Sequence, residues 1–339
     1  MTDEPMRIGI LGAARIAERA LVTPARTAGH RLVAVAARDH ARATAFARQH
    51  GVERVARSYA DLIADPEVEV VYNPLPNGLH GPWNLAALAA GKHVLTEKPS
   101  ASNAAEAAEV QKAAAGAGTV FMEGFHYLFH PVTRRLHALL DSGELGELRH
   151  VETVVAMPAP AESDVRWSLP LAGGALMDLG CYGLHAQRML APWAGGAPRL
   201  VTARGGERAD APGVDEWLDA DLEFPGGATG SVRCHMAYDS WQASCRIVGT
   251  RGEATAADFV LPHQDDRITV RTAAGERTEE LGRRSSYAYQ LDAFAAHLRH
   301  GAPPVLGAED ALTTMALIDG CYRAAGFPVR PRTVLPATG

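Results

Sequence analysis

Arg7-Ile8-Gly9-Ile10-Leu11-Gly12-Ala13-Ala14-Arg15-Ile16-Ala17 opens the regular part of the chain. Arg7–Leu11 is a short apolar run that reads as a buried strand, and small residues follow it directly. A helical stretch comes next and ends near Ala28, with Gly29 as its stop. Gly12, Ala14 and Ala17 stand where a strand-to-helix turn needs small side chains if a pyrophosphate is to approach the backbone and rest on the helix N-terminus. Only the first of the three is glycine, so a plain tight turn is the other reading. The position of the turn, after the first strand of a β-α series, favours the nucleotide reading.

Working outward, the same alternation continues. Arg31–Ala37 is a second apolar run. Ser58-Tyr59-Ala60-Asp61 reads as a helix N-cap with an acidic residue in the first turn. Val68–Asn73 predicts a buried strand, Gly81–Ala90 a helix stopped by Gly91, and His93–Thr96 another strand. The Ala-rich segment Ser102–Ala117 is helical by composition, and Thr119–Glu123 closes the series. Such alternation predicts a Rossmann-type doubly wound parallel sheet over residues 1–124. The pattern then changes. Runs 214–224, 228–237 and 242–248 follow one another without helices, which reads as an antiparallel meander. One helix is expected at Gly174–Leu190 and two more near 287–300 and 308–325. Residues 125–339 are therefore expected to form an α+β domain with a large, mostly antiparallel, open sheet.

The 339 residues carry a formal net charge of −6, with 47% hydrophobic and 21% charged residues. This balance argues against nucleic-acid or membrane-surface binding, which concentrates basic residues. No apolar run approaches the roughly 20 residues that span a bilayer. The N-terminus, polar and acidic, lacks the pattern of a secretory signal. Cys181, Cys234, Cys245 and Cys321 lie far apart, as expected for reduced structural thiols in a cytoplasmic protein. No histidine pair shows H-x-x-x-H or H-E-x-x-H spacing with an acidic third ligand, so no metal is expected. Of 33 basic residues only Lys92, Lys98 and Lys112 are lysines.

The end of the second strand bears on which nucleotide would bind. An acidic residue there usually holds a ribose 2′-hydroxyl. This chain has Ala36-Ala37-Arg38, with Arg42 one turn on, and two guanidinium groups suit a 2′-phosphate. NADP is therefore expected over NAD. Asp39 stands one position later than an NAD-type acid, and solvated arginines at a helix start are the competing reading.

Three features combine further along: the Gly-rich turn, Glu97-Lys98-Pro99 after the fifth strand, and Gly173-Gly174-Ala-Leu-Met-Asp178-Leu-Gly180-Cys-Tyr182. Together they resemble the Gfo/Idh/MocA oxidoreductases, in the branch that contains dimeric dihydrodiol dehydrogenase, glucose–fructose oxidoreductase and NADP-dependent xylose dehydrogenase. Leu75-Pro76-Asn77-Gly-Leu-His80, Met122-Glu123-Gly-Phe-His-Tyr, Arg166-Trp167 and Ile247-Val-Gly-Thr-Arg-Gly252 extend the resemblance over residues 7–325. It implies that Lys98 is an active-site lysine with Asp178 and Tyr182 as partners. It also implies a cofactor lined by Gly12, Ala13, Ala14, Arg15, Ile16, Arg38, Arg42, Leu75, Asn77, His80, Glu97, Lys98, Arg166 and Trp167. Relatives usually pair through the open sheet, so a homodimer or homotetramer is expected. Where relatives often have arginine after the tyrosine of the Met122 segment, this chain has Leu128.

The chemistry can be argued from the residue types as well. Hydride transfer leaves an oxygen that must gain or lose a proton. A tyrosine hydroxyl, with an ordinary pKa of about 10, needs a neighbouring ammonium to serve as base near neutrality. The expectation is Tyr182 as general acid/base, Lys98 as its electrostatic and hydrogen-bonding partner, and Asp178 as orienting group. Each has a plainer alternative: a core tyrosine, a surface lysine, and an acid favourable to the helix dipole. Asp178 and Tyr182, four apart, would share a helix face, and Gly173 and Gly174 would let the helix start lie near a ligand. His185 is either a proton relay or a structural histidine. The expected reaction is oxidation or reduction of a secondary alcohol or carbonyl of a sugar, cyclic polyol or dihydrodiol. A non-catalytic NADP(H)-binding redox sensor is the alternative, and it would have no need of the Lys98, Asp178 and Tyr182 set.

Overall fold

The computed structural model describes residues 4–303 and 305–335. They form two compact units: one holds the chain up to Phe125 together with Tyr287–Thr313 and the described residues from Arg332, the other His126–Ser286 and Thr314–Pro331.

The first unit is a parallel sheet of β1 (Arg7–Leu11), β2 (Arg31–Ala36), β3 (Arg54–Val55), β4 (Val70–Asn73), β5 (His93–Thr96) and β6 (Phe121–Glu123), in the order β3-β2-β1-β4-β5-β6. This is the doubly wound order, which reverses direction between β1 and β4 and so opens a crevice at their carboxyl ends. Ile8, Ile10, Val33, Val35, Val71 and Val94 are fully buried, as strands covered on both faces require. Local chemistry sets the helix boundaries. The Ser58 hydroxyl accepts from Asp61 N at 3.0 Å, and Asn103 caps the helix Ala104–Ala117. The late segment 287–313 joins this unit through specific bonds. Arg299 makes two bonds to the Glu69 carboxylate, at 2.5 and 2.9 Å, and Glu123 N donates to Leu306 O at 3.0 Å.

The second unit is an eight-stranded sheet of β7 (Leu148–Ala156), β8 (Arg199–Glu207), β9 (Asp215–Glu223), β10 (Thr229–His235), β11 (Gln242–Gly249), β12 (Gly252–Ala256), β13 (Arg267–Thr272) and β14 (Gly275–Glu280). Its order is β14-β13-β12-β11-β7-β10-β9-β8. The expected meander is only half right. β9 and β10 pair antiparallel, but β7 lies between β10 and β11, parallel to the first and antiparallel to the second. Burial alternates along β7 from Val151 to Val155, and its central place between β10 and β11 is one that local sequence succession does not reveal.

Period-two alternation separates the two faces of this sheet. Val232, Cys234, Leu218, Ala220, Ile247 and Val270 are buried on one face. The other carries cross-strand charge pairs: Arg233 to Asp221 at 2.9 Å, Arg246 Nε to Glu253 at 3.0 Å, and Arg271 to Glu253 at 3.2 Å. All four cysteines are buried and unbridged. No described helix is long and apolar enough to cross a membrane.

Candidate active site

In the first unit, the turn after β1 is tight and packed against Leu75. Gly12 has φ +87°, a region that favours glycine, and its N–H donates to Ala36 O at 2.6 Å. A Cβ there would lie 2.9 Å from Leu75 Cδ2. Ala14 is the N-cap of the next helix, and no side chain caps it, a helix end suited to an external anion.

Beside this turn Arg38 and Arg42 are exposed. Among the described residues neither is paired with a carboxylate. Asp39, the residue that complicates a 2′-phosphate reading, has another task. Its carboxylate accepts from Ala41 N at 2.9 Å and Arg42 N at 3.2 Å, capping the helix His40–His50. Arg42 also donates to Ala13 O at 3.3 Å, so this guanidinium reaches back to the Gly-rich turn. The Tyr59 hydroxyl bonds the Arg38 backbone and lies within the field of both arginines, although burial, the larger influence, pushes its pKa up.

A buried amide network ties together the carboxyl ends of β4, β5 and β6. Asn73 donates to Asn84 Oδ1 at 2.9 Å, Asn84 to Ser100 O at 3.0 Å, and Ser100 N to Glu123 Oε1 at 2.6 Å. This fixes the Glu97–Pro99 segment. Glu97 is buried, accepts from the Tyr72 hydroxyl at 2.8 Å, and has its pKa raised by burial. Lys98, by contrast, is partly exposed. His80 is 1% exposed, its Nδ1 2.7 Å from Pro99 O and its Nε2 2.6 Å from Leu75 O. Burial, with a smaller push from Lys98, lowers its pKa to about 4 against the pull of the two carbonyls. His80 is thus neutral near pH 7, where its single N–H donates to only one of the two carbonyls, and it lies between the β4 and β5 ends. Asn77, half-buried, begins the single turn Asn77–Leu79 beside it.

In the second unit, the segment 173–188 carries Asp178 and Tyr182. The expected single helix begins later and differently. Gly174 has φ +132° and stays outside it, Leu176–Gly180 forms a π-helical turn, and Cys181–Arg188 is α-helical. The wider π turn changes the simple four-residue stacking of Asp178 and Tyr182. The two glycines also have a different purpose from the one expected. A Cβ on Gly173 would strike Arg166 O, and one on Gly174 would strike the Asp215 carboxylate, so the space they leave is filled by the protein itself.

Asp215 pins this helix start. It accepts from Leu176 N at 2.7 Å and from the Tyr322 hydroxyl at 3.0 Å, and it pairs with Arg330. Asp215 and Arg330 have no exposed side-chain surface, and the guanidinium lies 3.9 Å over the Tyr322 ring. Further along, Gly180 and Gly183 let the helix touch the sheet. A Cβ at Gly180 would be 2.8 Å from Cys234 Sγ, and one at Gly183 2.8 Å from Val232 Cγ1.

Asp178 Oδ2 accepts from Arg166 Nε at 2.7 Å, while Arg166 Nη1 donates to both Asp164 oxygens at 3.2 and 3.3 Å. Asp178 is the main cause of the raised pKa of Arg166. Trp167 is packed under Arg208, whose guanidinium carbon is 4.1 Å from the ring centre. Tyr182, 6% exposed, places its hydroxyl 3.3 Å from His126 Nε2. His185 faces a different tyrosine: its Nδ1 is 2.7 Å from the Tyr127 hydroxyl.

Comparison with known proteins now bears on the whole chain. Residues 6–125 match the family model described as "Oxidoreductase family, NAD-binding Rossmann fold", and residues 133–255 the "GFO/IDH/MocA C-terminal domain". D-xylose 1-dehydrogenase (NADP(+)) 2 of Haloferax volcanii is 36% identical, covering 94% of this chain and 97% of that protein. The chain belongs to the Gfo/Idh/MocA oxidoreductase family. Pig (Sus scrofa) trans-1,2-dihydrobenzene-1,2-diol dehydrogenase is 37% identical over 68% of this chain and 67% of its own. Among solved structures, the 3-ketoreductase KijD10 of Actinomadura kijaniata, in complex with NADP and TDP-benzene, superposes with a TM-score of 0.87 at 28% identity. The match covers 95% of this chain and 98% of that one.

The Gfo/Idh/MocA membership fits an enzyme of the dehydrogenase and reductase kind, and the Rossmann and mostly antiparallel sheets are the fold expected from the sequence. The structure groups Gly12, Arg38 and Arg42 around one turn, and Leu75, His80, Glu97 and Lys98 around the β4 and β5 ends. Arg166, Trp167, Asp178 and Tyr182 lie in the second unit. Sequence reading quoted the Met122 segment for its resemblance but passed over His126 as a partner of Tyr182. Ser286 and His263 carried no signal at all, since their proximity to His126 depends on tertiary packing.

Proposed function

We propose that this chain is an NADP-dependent oxidoreductase that moves a hydride between nicotinamide and a secondary alcohol or carbonyl of a sugar, cyclic polyol or dihydrodiol. The observation that carries the cofactor choice is the capping role of Asp39. With that carboxylate held by two backbone N–H groups, Arg38 and Arg42 remain free of acidic partners beside the Gly-rich turn. Two unpaired guanidinium groups suit a dianionic 2′-phosphate. The uncapped helix start at Ala14, reached through the tight positive-φ turn at Gly12, suits the pyrophosphate. The relatives named for NADP support the same reading.

Bound there, the nicotinamide supplies the hydride acceptor or donor. The chain's own residues handle the oxygen. Tyr182 passes a proton to or from the substrate oxygen, Lys98 stabilises the phenolate form, and Asp178, held by Arg166, orients the partners. The proposal includes a cytoplasmic enzyme, consistent with four buried thiols, and a homodimer or homotetramer joined through the charged outer face of the second sheet. It is tested with D-xylose, inositols and a dihydrodiol followed by NADPH absorbance, beside calorimetry of NADPH and NADH. We expect turnover of one substrate class and markedly tighter NADPH binding. Equal affinity for the two nucleotides overturns the NADP reading. Near-normal turnover by Tyr182→Phe removes Tyr182 from the chemistry.

A further inference from the structure

We propose that His126, Ser286 and His263 form a proton relay that joins the Tyr182 hydroxyl to the surface of the second unit. This rests on the reading of Tyr182 as the general acid/base. Four side chains from separate parts of the chain make three consecutive contacts. Tyr182 Oη is 3.3 Å from His126 Nε2, His126 Nδ1 is 2.9 Å from Ser286 Oγ, and the same Oγ is 3.2 Å from His263 Nδ1. His126 and Ser286 are completely buried, whereas His263 is partly exposed. The series therefore begins at the reacting residue, crosses the interior and ends within reach of water.

The residue types make it a conductor rather than a set of satisfied polar groups. A phenol, an imidazole and a hydroxyl can each take a proton on one side and release one on the other. Each of the three contacts joins one of these groups directly to the next. The Tyr127–His185 pair beside it is different. Its members are 2% and 0% exposed, and the rings of Tyr127 and Tyr182 lie 6.1 Å apart between centroids. His185, the relay expected from sequence spacing, is thus hydrogen-bonded to a buried neighbour, and the exit runs through His126. At the outer end His130 lies in the field of both His263 and Asp266.

In the oxidation direction the protons balance as follows. The substrate carbon gives its hydride to oxidised nicotinamide, and the substrate O–H proton moves to Tyr182 Oη. The proton already on Oη moves to His126 Nε2, and the Nδ1 proton of His126 moves to Ser286 Oγ. The Ser286 proton moves to His263 Nδ1. His263, now doubly protonated, returns one proton to water. Reduction runs the same chain backwards.

The first test needs no substrate. In the full-length protein with ¹⁵N-labelled histidine, NMR reports which nitrogen of His126 is protonated. Titration of His263 should switch the His126 tautomer in the wild type and in Ser286→Thr, which keeps the hydroxyl, and should leave it unchanged in Ser286→Ala. A His126 tautomer that ignores the state of His263 in the wild type overturns the relay. The second test uses turnover of D-xylose with NADP⁺. Ser286→Ala and the surface variant His263→Gln should each lower kcat by about tenfold or more, up to the roughly hundredfold or greater contribution of a direct acid–base group. KM for NADP⁺ should hold, and added imidazole should restore part of the rate. Wild-type kcat in both variants overturns the relay while Tyr182→Phe stays inactive. If Tyr182→Phe is itself active, the underlying assignment of Tyr182 has failed instead.

Discussion

Arg38 and Arg42 stand exposed at the end of β2, with the adjacent acid, Asp39, turned to a helix N-terminus. In the second unit, Arg166 is clasped by Asp164 and Asp178, and Arg330 is buried against Asp215. Among the described residues, the same residue type is thus left without carboxylate partners at the end of β2 and serves as a structural tie at Arg166 and Arg330. What separates the two uses is where the neighbouring carboxylates are committed. An arginine free of carboxylates can give its full fork to a phosphate, whereas Arg166 would first have to leave two acids.

The largest contrast should appear in stability. Arg330→Met leaves Asp215 buried without its cation and should cost about 3–5 kcal/mol in urea unfolding. Arg38→Ala, at an exposed position, should stay within about 0.5 kcal/mol of the wild type. A mild Arg330→Met would show that Asp215 is held by Leu176 N and Tyr322 alone.

His80 extends the comparison to a basic group kept neutral by burial. Its folded pKa of about 4 lies below the ordinary value of 6.5. On acidification the unfolded chain therefore takes up the proton first. The stability contribution is complete above pH 6.5 and is lost as the pH falls toward 4, by about 3 kcal/mol in all. Unfolding midpoints across this window should be flatter in His80→Gln, and an equally steep fall in that variant would assign the effect to other groups.

Smaller effects belong to binding and capping. Arg38→Ala should weaken NADPH by about tenfold, the worth of one charged hydrogen bond, and leave NADH unchanged. Loss of both nucleotides to the same extent would mean that Arg38 supports the turn and not the 2′-phosphate. Asp39→Ala should cost about 1 kcal/mol of stability through the lost N-cap. Asp39→Asn retains the cap and should match the wild type in both stability and nucleotide preference. A gain in NADPH affinity there would show that Asp39 also opposes the phosphate.

Sequence periodicity revealed the parallel sheet because buried strands and capped helices leave local marks, such as Ser58 three residues before Asp61 and Gly29 after a helix. It also marked the residues at strand ends, where backbone direction and small side chains narrow the possibilities. It did not reveal β7 between β10 and β11, since strand partners depend on packing between segments some eighty residues apart. The π turn at Leu176–Gly180 was missed for a related reason. It follows from the Asp215 carboxylate holding Leu176 N, and nothing near residue 176 announces residue 215. His126 was quoted but not used, because a histidine in a motif shows its partner only when the chain is folded.

The return of 287–313 to the first unit has a consequence for biosynthesis. Glu69 and Glu123 meet Arg299 and the Leu306 carbonyl only after some three hundred residues have been made. Ala308 completes the same apolar cluster as Val71, Val94 and Phe121. The early part of the first unit is therefore made before 126–286 and joined by 287–313 only afterwards. On the ribosome that early part waits with some of its surface uncovered while residues 126–286 are synthesised.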